Sequence, residues 1–280
     1  MGVTWQSGEP PVLAAVGTAG WTRAVLRGVP IVVIIGAGLL LLLALRLIER
    51  PLFGPRRPVT PRITQGVCRA VLAILGLNLT VQGSLVASSG VIVANHVSWL
   101  DIFVLNAQSP VLFVAKAEVA GWPGIGWLAR ATGTVFIRRD RAEVAAQIAT
   151  FRDRLAAGHR LVFFPEGTST DGLRVLPFKP ALFATFLPPG LANTGLIQPV
   201  TVVYQAPSGT DPRFFGWWGD MAFAPHLLRV LARGKGAVQV IYHVPIQIAR
   251  FSDRKALAQV CEASVRAGLT ASPLAVPSVP

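Results

Sequence analysis

Between Arg27 and Arg46 the chain carries no charge, and Val29 to Leu45 forms an apolar run of 17 residues. As a helix, at 1.5 Å per residue, that run covers roughly 26 Å, close to the hydrocarbon thickness of a bilayer. A secretory signal has a shorter apolar region, about 7–15 residues, and ends in a small-residue cleavage site. Here Arg46-Leu47-Ile48-Glu49-Arg50 follows instead, so the run reads as an uncleaved membrane anchor. Arg46, Arg50, Arg56, Arg57 and Arg62 lie beyond it and only Arg23 and Arg27 before it. If the segment spans, this asymmetry leaves the body of the protein in the cytoplasm, on the inner membrane of a bacterial cell.

Composition agrees with a membrane setting. Hydrophobic residues are 52% of the 280 and charged residues 14%, against about 25% charged in ordinary soluble domains, which excludes a disordered tail protein. Lys and Arg total 26 against 13 Asp and Glu, a net charge of +13 that favours phosphate-bearing or otherwise anionic partners. Cys68 and Cys261 are too few for a disulfide scaffold or a four-thiolate zinc site.

A second apolar stretch, Val67 to Val81, is interrupted by Arg69, Gly76 and Asn78, and is either an interfacial helix or a core helix of the domain that follows. The chain thus divides into a flexible N-terminus (1–27), a membrane-anchoring helical region (28–84), a folded domain (85–270) and a disordered tail (271–280) rich in proline.

From Gly90 onward, short apolar runs bounded by turn residues alternate with helical periodicity. Val91–Ala94, Val111–Ala115, Thr134–Ile137, Leu161–Phe164, Ile197–Tyr204 and Val238–Val244 read as buried strands. Asp140 and Glu143 form a capping box for a helix whose stripe is Val144, Ile148, Phe151 and Leu155, closed by Gly158. A last helix starts at Ser252 or Asp253, carries Leu257, Val260, Cys261 and Val265, and stops at Gly268. The expected fold class is α/β: a mixed, mainly parallel sheet flanked by helices, with an N-terminal hydrophobic anchoring segment.

The chemistry concentrates at strand ends. The run Gly90–Ala94 leads into Asn95 and His96, with Asp101 five residues later. If a helix starts near Ser98, Asp101 lies on its first turn and reaches back to the imidazole. A carboxylate there fixes the tautomer and leaves the other ring nitrogen to take a proton from a hydroxyl or thiol. The plainer reading makes Asn95 and Ser98 turn and cap residues, with His96 bonded to a carbonyl. A second strand ends in Pro165-Glu166-Gly167-Thr168-Ser169, whose carboxylate, hydroxyls and glycine can hold polar ligand groups. Between them, Gly133–Asp140 delivers Arg138 and Arg139 to a helix N-terminus, a natural phosphate site.

Asn95–Asp101, Gly133–Arg139, Phe164–Ser169 and Leu196–Tyr204, in this order and at these intervals, resemble the four sequence blocks of the glycerolipid acyltransferase family that includes 1-acylglycerol-3-phosphate acyltransferases. The resemblance covers roughly residues 85 to 250. It implies acyl transfer from acyl-CoA or acyl carrier protein, with no other cofactor and no metal, to the free hydroxyl of a lysolipid; the first expectation is conversion of 1-acylglycerol-3-phosphate to phosphatidate. His96 would be the base and Asp101 its orienting partner. Arg139, with Arg138 beside it, resembles the phosphate-binding arginine of the second block. Glu166, Gly167, Thr168 and Ser169 resemble the acceptor-binding turn. Lys116 and Lys179 match positions often basic in these enzymes, and Pro199 belongs to the apolar fourth block, implying acyl-chain packing.

One departure stands out. Many lysophosphatidate acyltransferases carry Arg after Phe-Pro-Glu-Gly-Thr, whereas this chain has Ser169 and its next arginine is Arg174. With Trp217-Trp218-Gly219-Asp220-Met221, this resembles a bacterial branch that also contains acyltransferases completing ornithine lipid from its lyso form, the alternative acceptor. Trp217 and Trp218 read as membrane-interface residues rather than base-stacking platforms, and no nucleic-acid partner is expected. No Gly-x-Ser-x-Gly elbow supports a serine hydrolase. His159, His226 and His243 lack metal-ligand spacing. A non-catalytic anionic-lipid-binding protein accounts for the charge but not for four ordered blocks.

Overall fold

The computed structural model describes residues 4–7, 15–138, 141–187 and 195–275. Of the tail expected to be disordered (271–280), residues 276–280 lie outside the described residues, as do Arg139 and Asp140, while Ala271 ends the last helix and Ser272 is buried and bonded to Gln239.

Helix α1 (Thr18–Phe53) contains the apolar run and is longer than it, 36 residues or roughly 54 Å. It is long and apolar enough to cross a membrane, and of its residues only Gly20, Ala24, Leu42 and Glu49 are buried. Leu26, Val32, Leu40, Leu47 and Leu52 face outward. The helix begins ten residues before the boundary expected at 28, because nothing in Thr18–Gly28 breaks it. Its N-terminal half is fixed to the folded domain: Arg23 Nε donates to the Ala232 carbonyl at 2.8 Å and Arg27 Nη1 to that of Leu231 at 2.9 Å. Its C-terminal end is fixed as well. Glu49 accepts the Val59 amide (2.8 Å) and the Thr60 amide (3.2 Å), capping helix α2 (Thr60–Leu75), and Arg57 Nη1 donates to the Ala131 carbonyl at 3.1 Å.

The second apolar stretch is not one helix. Gly76, at φ +70°, closes α2 in the left-handed conformation, and the next residues form strand β1 (Leu77–Gln82). Leu77, Leu79 and Val81 alternate with Asn78, Thr80 and Gln82, so the period changes from 3.6 to 2 at that glycine. The boundary expected at 84 thus cuts off a strand of the main sheet.

The remaining elements are β2 (Gly90–Ala94), α3 (Leu100–Gln108), β3 (Leu112–Lys116), α4 (Ile125–Thr132), β4 (Val135–Ile137), α5 (Val144–Ala156), β5 (Arg160–Phe163), α6 (Pro180–Phe183), β6 (Leu196–Gln205), α7 (Phe223–Arg233), β7 (Gly236–Tyr242), β8 (Ile246–Gln247) and α8 (Arg254–Ala271). The strand order is β1-β7-β6-β2-β5-β3-β4, with β8 beside β6. Five pairings are parallel, while β6 runs antiparallel to β7 and β8, so the sheet is mixed and mainly parallel as expected.

Both faces of the sheet are covered, which is why its central strands read as continuous apolar runs. Ile92, Val162, Val200 and Val202 pack toward Leu72, Leu75, Leu100 and Val230 on one side. Val91, Leu161, Phe163 and Ile197 pack toward Phe151, Phe183, Leu257 and Val265 on the other. Neighbouring residues of one strand thus belong to opposite cores.

Two helix expectations change in detail. A short 3₁₀ turn at Arg141–Glu143 precedes α5, and the Glu143 carboxylate meets Arg138 Nη1 at 3.3 Å, while the expected capping box rests on Asp140, outside the described residues. In α8, Asp253 caps the Lys255 and Ala256 amides, but Gly268 does not stop the helix, which continues to Ala271. Gly268 is there for proximity: a Cβ on it would lie 2.4 Å from Thr201 Oγ1 and 2.7 Å from the His243 ring. Val260 lies off the stripe, 42% exposed, and Ala258 takes its place in the core.

Candidate active site

Strands β2, β3, β4 and β5 are parallel, so their carboxyl ends open on one edge of the sheet. His96 follows β2, Lys116 ends β3, Arg138 follows β4 and Glu166 follows β5. Crevices outside carboxyl ends are where open α/β sheets bind ligands. Topology thus brings together residues that are up to 70 positions apart.

Asp101 lies on the first turn of α3 and is fully buried. Its Oδ2 accepts from His96 Nδ1 at 2.7 Å, from the Val97 amide at 2.8 Å and from the Ser98 amide at 3.0 Å. Its Oδ1 accepts from the Tyr204 hydroxyl at 2.8 Å. Four donors compensate a buried carboxylate, whose desolvation would otherwise cost several kcal/mol. The two amides can only donate to Oδ2, so this oxygen is an acceptor and the ring nitrogen facing it, Nδ1, is placed to donate, which leaves Nε2 outside the Asp101 contact. The His96 side chain is 22% exposed and its ring stacks on Phe164, centroids 4.1 Å apart and planes 12° from parallel. The plainer reading of His96 as a carbonyl-bonded turn residue does not hold: its ring is fixed by a carboxylate, with one nitrogen available.

Asn95 plays a supporting part. Its side chain donates to the Val202 carbonyl (2.9 Å) and accepts the Val202 amide (2.8 Å), clamping the loop after β2 to β6.

Glu166 is turned inward rather than toward a ligand. One oxygen accepts the His96 amide and the other the Leu176 amide, each at 2.7 Å, and the residue is 1% exposed. Burial, the largest influence, pushes its carboxyl up to about 8, against the two amide bonds that favour the charged form. Glu166 therefore closes the 166–176 loop on itself and ties it to His96. Gly167 stands at φ +71°, and the Lys179 ammonium would lie 2.7 Å from any Cβ there, so this lysine covers the turn. Thr170 completes the attachment, its amide donating to the His96 carbonyl at 2.9 Å.

Ser169 is buried and its hydroxyl donates to the Trp217 carbonyl, while the Trp217 amide donates to the Val97 carbonyl at 2.9 Å. The 214–222 loop is thereby laid across the loop beginning at Glu166. Trp218 is 4% exposed, contrary to its reading as a membrane-interface residue: its ring faces Trp5 at 6.3 Å and Arg213 at 5.9 Å. Lys116 and Arg138 are exposed at adjacent strand ends, Lys116 standing in register with Ile137. Pro199 is buried in β6 opposite Val93, between the residues that pair with β8 and those that pair with β7, where its missing N–H breaks no ladder bond. His226, His159 and His243 bond to Trp99, to the Pro55 carbonyl and to Thr201 respectively, apart from one another.

Tyr204 closes the apolar fourth block and belongs to none of the sequence motifs that point to chemistry. The only sequence signal was a polar-tipped aromatic at the end of a buried strand, where a hydroxyl needs a partner.

A buried aspartate that presents a partly open imidazole, at the carboxyl ends of a mixed sheet, is an arrangement able to move a proton at a bound ligand. Comparison with known proteins makes this specific. Residues 78–203 match the family model described as Acyltransferase. The lyso-ornithine lipid O-acyltransferase of Rhodobacter capsulatus is 56% identical over 266 residues, covering 95% of this chain and 96% of that protein. A 1-acyl-sn-glycerol-3-phosphate acyltransferase of Neisseria meningitidis is 34% identical over 202 residues, covering 71% and 78%. The crystal structure of the 1-acyl-sn-glycerophosphate acyltransferase PlsC from Thermotoga maritima shares the fold, with a TM-score of 0.57 at 20% identity over 88% of this chain and 98% of that one. The chain belongs to this acyltransferase family and is an acyltransferase.

Proposed function

We propose that the protein transfers a fatty acyl group from a thioester donor, acyl-CoA or acyl carrier protein, to the free hydroxyl of lyso-ornithine lipid. His96 Nε2 takes the hydroxyl proton as the oxygen attacks the thioester carbonyl carbon. The C–S bond breaks, and the departing thiolate takes that proton from the imidazolium. Asp101 holds the ring and offsets its transient positive charge. The observation that carries the mechanism is the 2.7 Å contact between His96 Nδ1 and an Asp101 with all its other donors in place. No protein acyl intermediate enters this reading: Cys68 and Cys261 are buried, and burial pushes both thiols up to about 12.

Two observations favour lyso-ornithine lipid over the lysophosphatidate first expected. The 56% identical relative bears that name across nearly its whole length. Ser169, at the place of the arginine that many lysophosphatidate acyltransferases carry, is buried and bonded to the Trp217 carbonyl, which leaves no extended cation there. Lys116 and Arg138, with Arg139, remain as cations for an anionic donor or lipid surface.

The docking of both ends of α1 on one domain supports a helix lying along the membrane, its outward apolar face in one leaflet, rather than crossing it. The catalytic edge would then work at the surface of that leaflet.

The test is radiolabelled acyl transfer by membranes holding the wild-type or His96→Ala protein, with lysophosphatidate and lyso-ornithine lipid offered side by side and both donors supplied. Label in ornithine lipid that depends on His96 is expected. Label in phosphatidate alone would return the acceptor to the first expectation, and equal transfer by His96→Ala would end the general-base mechanism.

A further inference from the structure

Residues Thr4–Ser7 lie far from the active site in sequence but are seated on it. The Trp5 amide donates to Thr168 Oγ1 of the Glu-Gly-Thr turn at 3.4 Å. Gln6 Nε2 donates to Asp220 Oδ2 at 2.8 Å, and Trp218 Nε1 donates to Ser7 Oγ at 3.1 Å. Three consecutive residues thus bond to the two loops, 166–176 and 214–222, that border His96.

Arg174 lies under this strap. Its guanidinium faces the Trp5 ring at 5.2 Å, while Nε and Nη2 hold the buried Asp171 at 3.2 and 3.0 Å. Asp171 Oδ1 also accepts the Leu173 amide at 3.1 Å, which fixes the carboxyl group that holds the arginine. One edge of the guanidinium is engaged by the carboxylate and one face by the indole, which holds the group rigid. The side chain is still 53% exposed, leaving the donors of the other edge accessible. Thr170 bonds to the carbonyls of both His96 and Arg174, so the arginine's backbone lies one residue's bridge from the catalytic loop.

We propose that Arg174, held by Asp171 and roofed by Trp5, binds the anionic group of the lysolipid acceptor, and that the Thr4–Ser7 strap completes this headgroup site. In this chain Ser169 follows the Glu-Gly-Thr turn, and the next cation, Arg174, stands five residues later with the Trp5 ring over it. The proposal rests on the acceptor reading above. An ornithine acylated on one nitrogen keeps its carboxylate, which matches one guanidinium edge, several bonds from the reacting hydroxyl. A phosphate monoester offers the same edge chemistry, and the experiment separates the two.

The test is steady-state acylation by the full-length enzyme in mixed micelles, using lyso-ornithine lipid as free acid and as carboxyl methyl ester, with wild type, Arg174→Ala, Arg174→Lys, Trp5→Ala and Trp5→Phe. Arg174→Ala is expected to raise KM for the free acid about 10-fold or more while kcat stays within about 3-fold, as for loss of a binding contact. The methyl ester should cost the wild type a similar factor and cost Arg174→Ala nothing further. Trp5→Ala should shift KM in the same direction, with Trp5→Phe restoring it and Arg174→Lys restoring it in part. A loss of kcat without a change in KM, or an ester penalty undiminished in Arg174→Ala, would overturn the proposal. If the wild type acylates lysophosphatidate and not lyso-ornithine lipid, the acceptor reading fails. Arg174 is then judged by its KM effect on lysophosphatidate, where an unchanged KM overturns the site as well.

Discussion

The contact between Tyr204 and Asp101 completes the hydrogen bonding of a carboxyl group with no exposure beside an imidazole. Each Asp101 oxygen is engaged, and among the described residues the tyrosine alone serves Oδ1. Burial and the neighbouring carboxylate push the Tyr204 phenol well above its ordinary range, so it remains a donor. Tyr204→Phe is expected to lower stability by about 1–3 kcal/mol, the cost of orphaning a buried acceptor, and to lower kcat about 10-fold as Asp101 holds the imidazolium less firmly. Urea unfolding and steady-state rates on one preparation check both. Asp101→Ala removes the partner altogether, and its kcat should fall by at least about 10²-fold with the fold retained by circular dichroism. An Asp101→Ala enzyme within a few-fold of wild type would leave His96 without an orienting group.

At the scale of elements, glycines decide where helices stop and where they must touch. Gly76 ends α2 because its backbone is left-handed, whereas Gly268 sits within α8 so that the helix can approach β6 and β7. Thr201 Oγ1 bonds to the Val265 carbonyl at 2.9 Å and to His243 Nε2 at 2.8 Å in the same narrow gap. For Gly268→Ala two effects compete. Helix propensity favours alanine by about 1 kcal/mol, while forcing a methyl into contact with Thr201 and His243 costs about 1–3 kcal/mol and breaks their hydrogen bond. The steric cost is expected to win, giving a lower Tm. A rise in Tm would show that α8 can shift outward without penalty.

For the whole molecule, stability responds to pH through groups buried between layers. His226 of α7 accepts from Trp99 Nε1 at 2.9 Å, and burial, with Arg229 adding to it, holds its imidazole down at about 4. A histidine depressed in the folded state contributes stability that is complete above the unfolded value, about 6.5, and is lost as pH falls through 4. The contribution is on the order of 3 kcal/mol. Denaturant midpoints should fall between pH 7 and pH 4 in the wild type and fall less in His226→Gln. Glu166 works with the opposite sign. Its carboxyl, raised to about 8, is neutral when folded where the unfolded chain has already ionised, so stability falls as pH rises from about 4.5 to 8. Glu166→Gln should flatten that alkaline limb.

The amino-acid sequence alone determined the apolar N-terminal helix, six of the eight strands and the mainly parallel sheet, and it marked His96 and Asp101 as a candidate pair. Each of these rests on local regularity: an uncharged run, short apolar segments between turn residues, and a five-residue spacing that one loop and one helical turn convert into a 2.7 Å contact. Period and spacing are visible in a chain because neighbours in sequence are neighbours in space. Tertiary structure alone decided what meets across the sheet edge. Tyr204 reaches Asp101 across 103 positions, Trp5 reaches Thr168 across 163, and Glu166 turns inward to the His96 amide across 70. It also decided that Trp218 is covered and that both ends of α1 are held on one domain. Such contacts leave no periodic trace, because the groups they pair come from segments that only folding brings to the same edge.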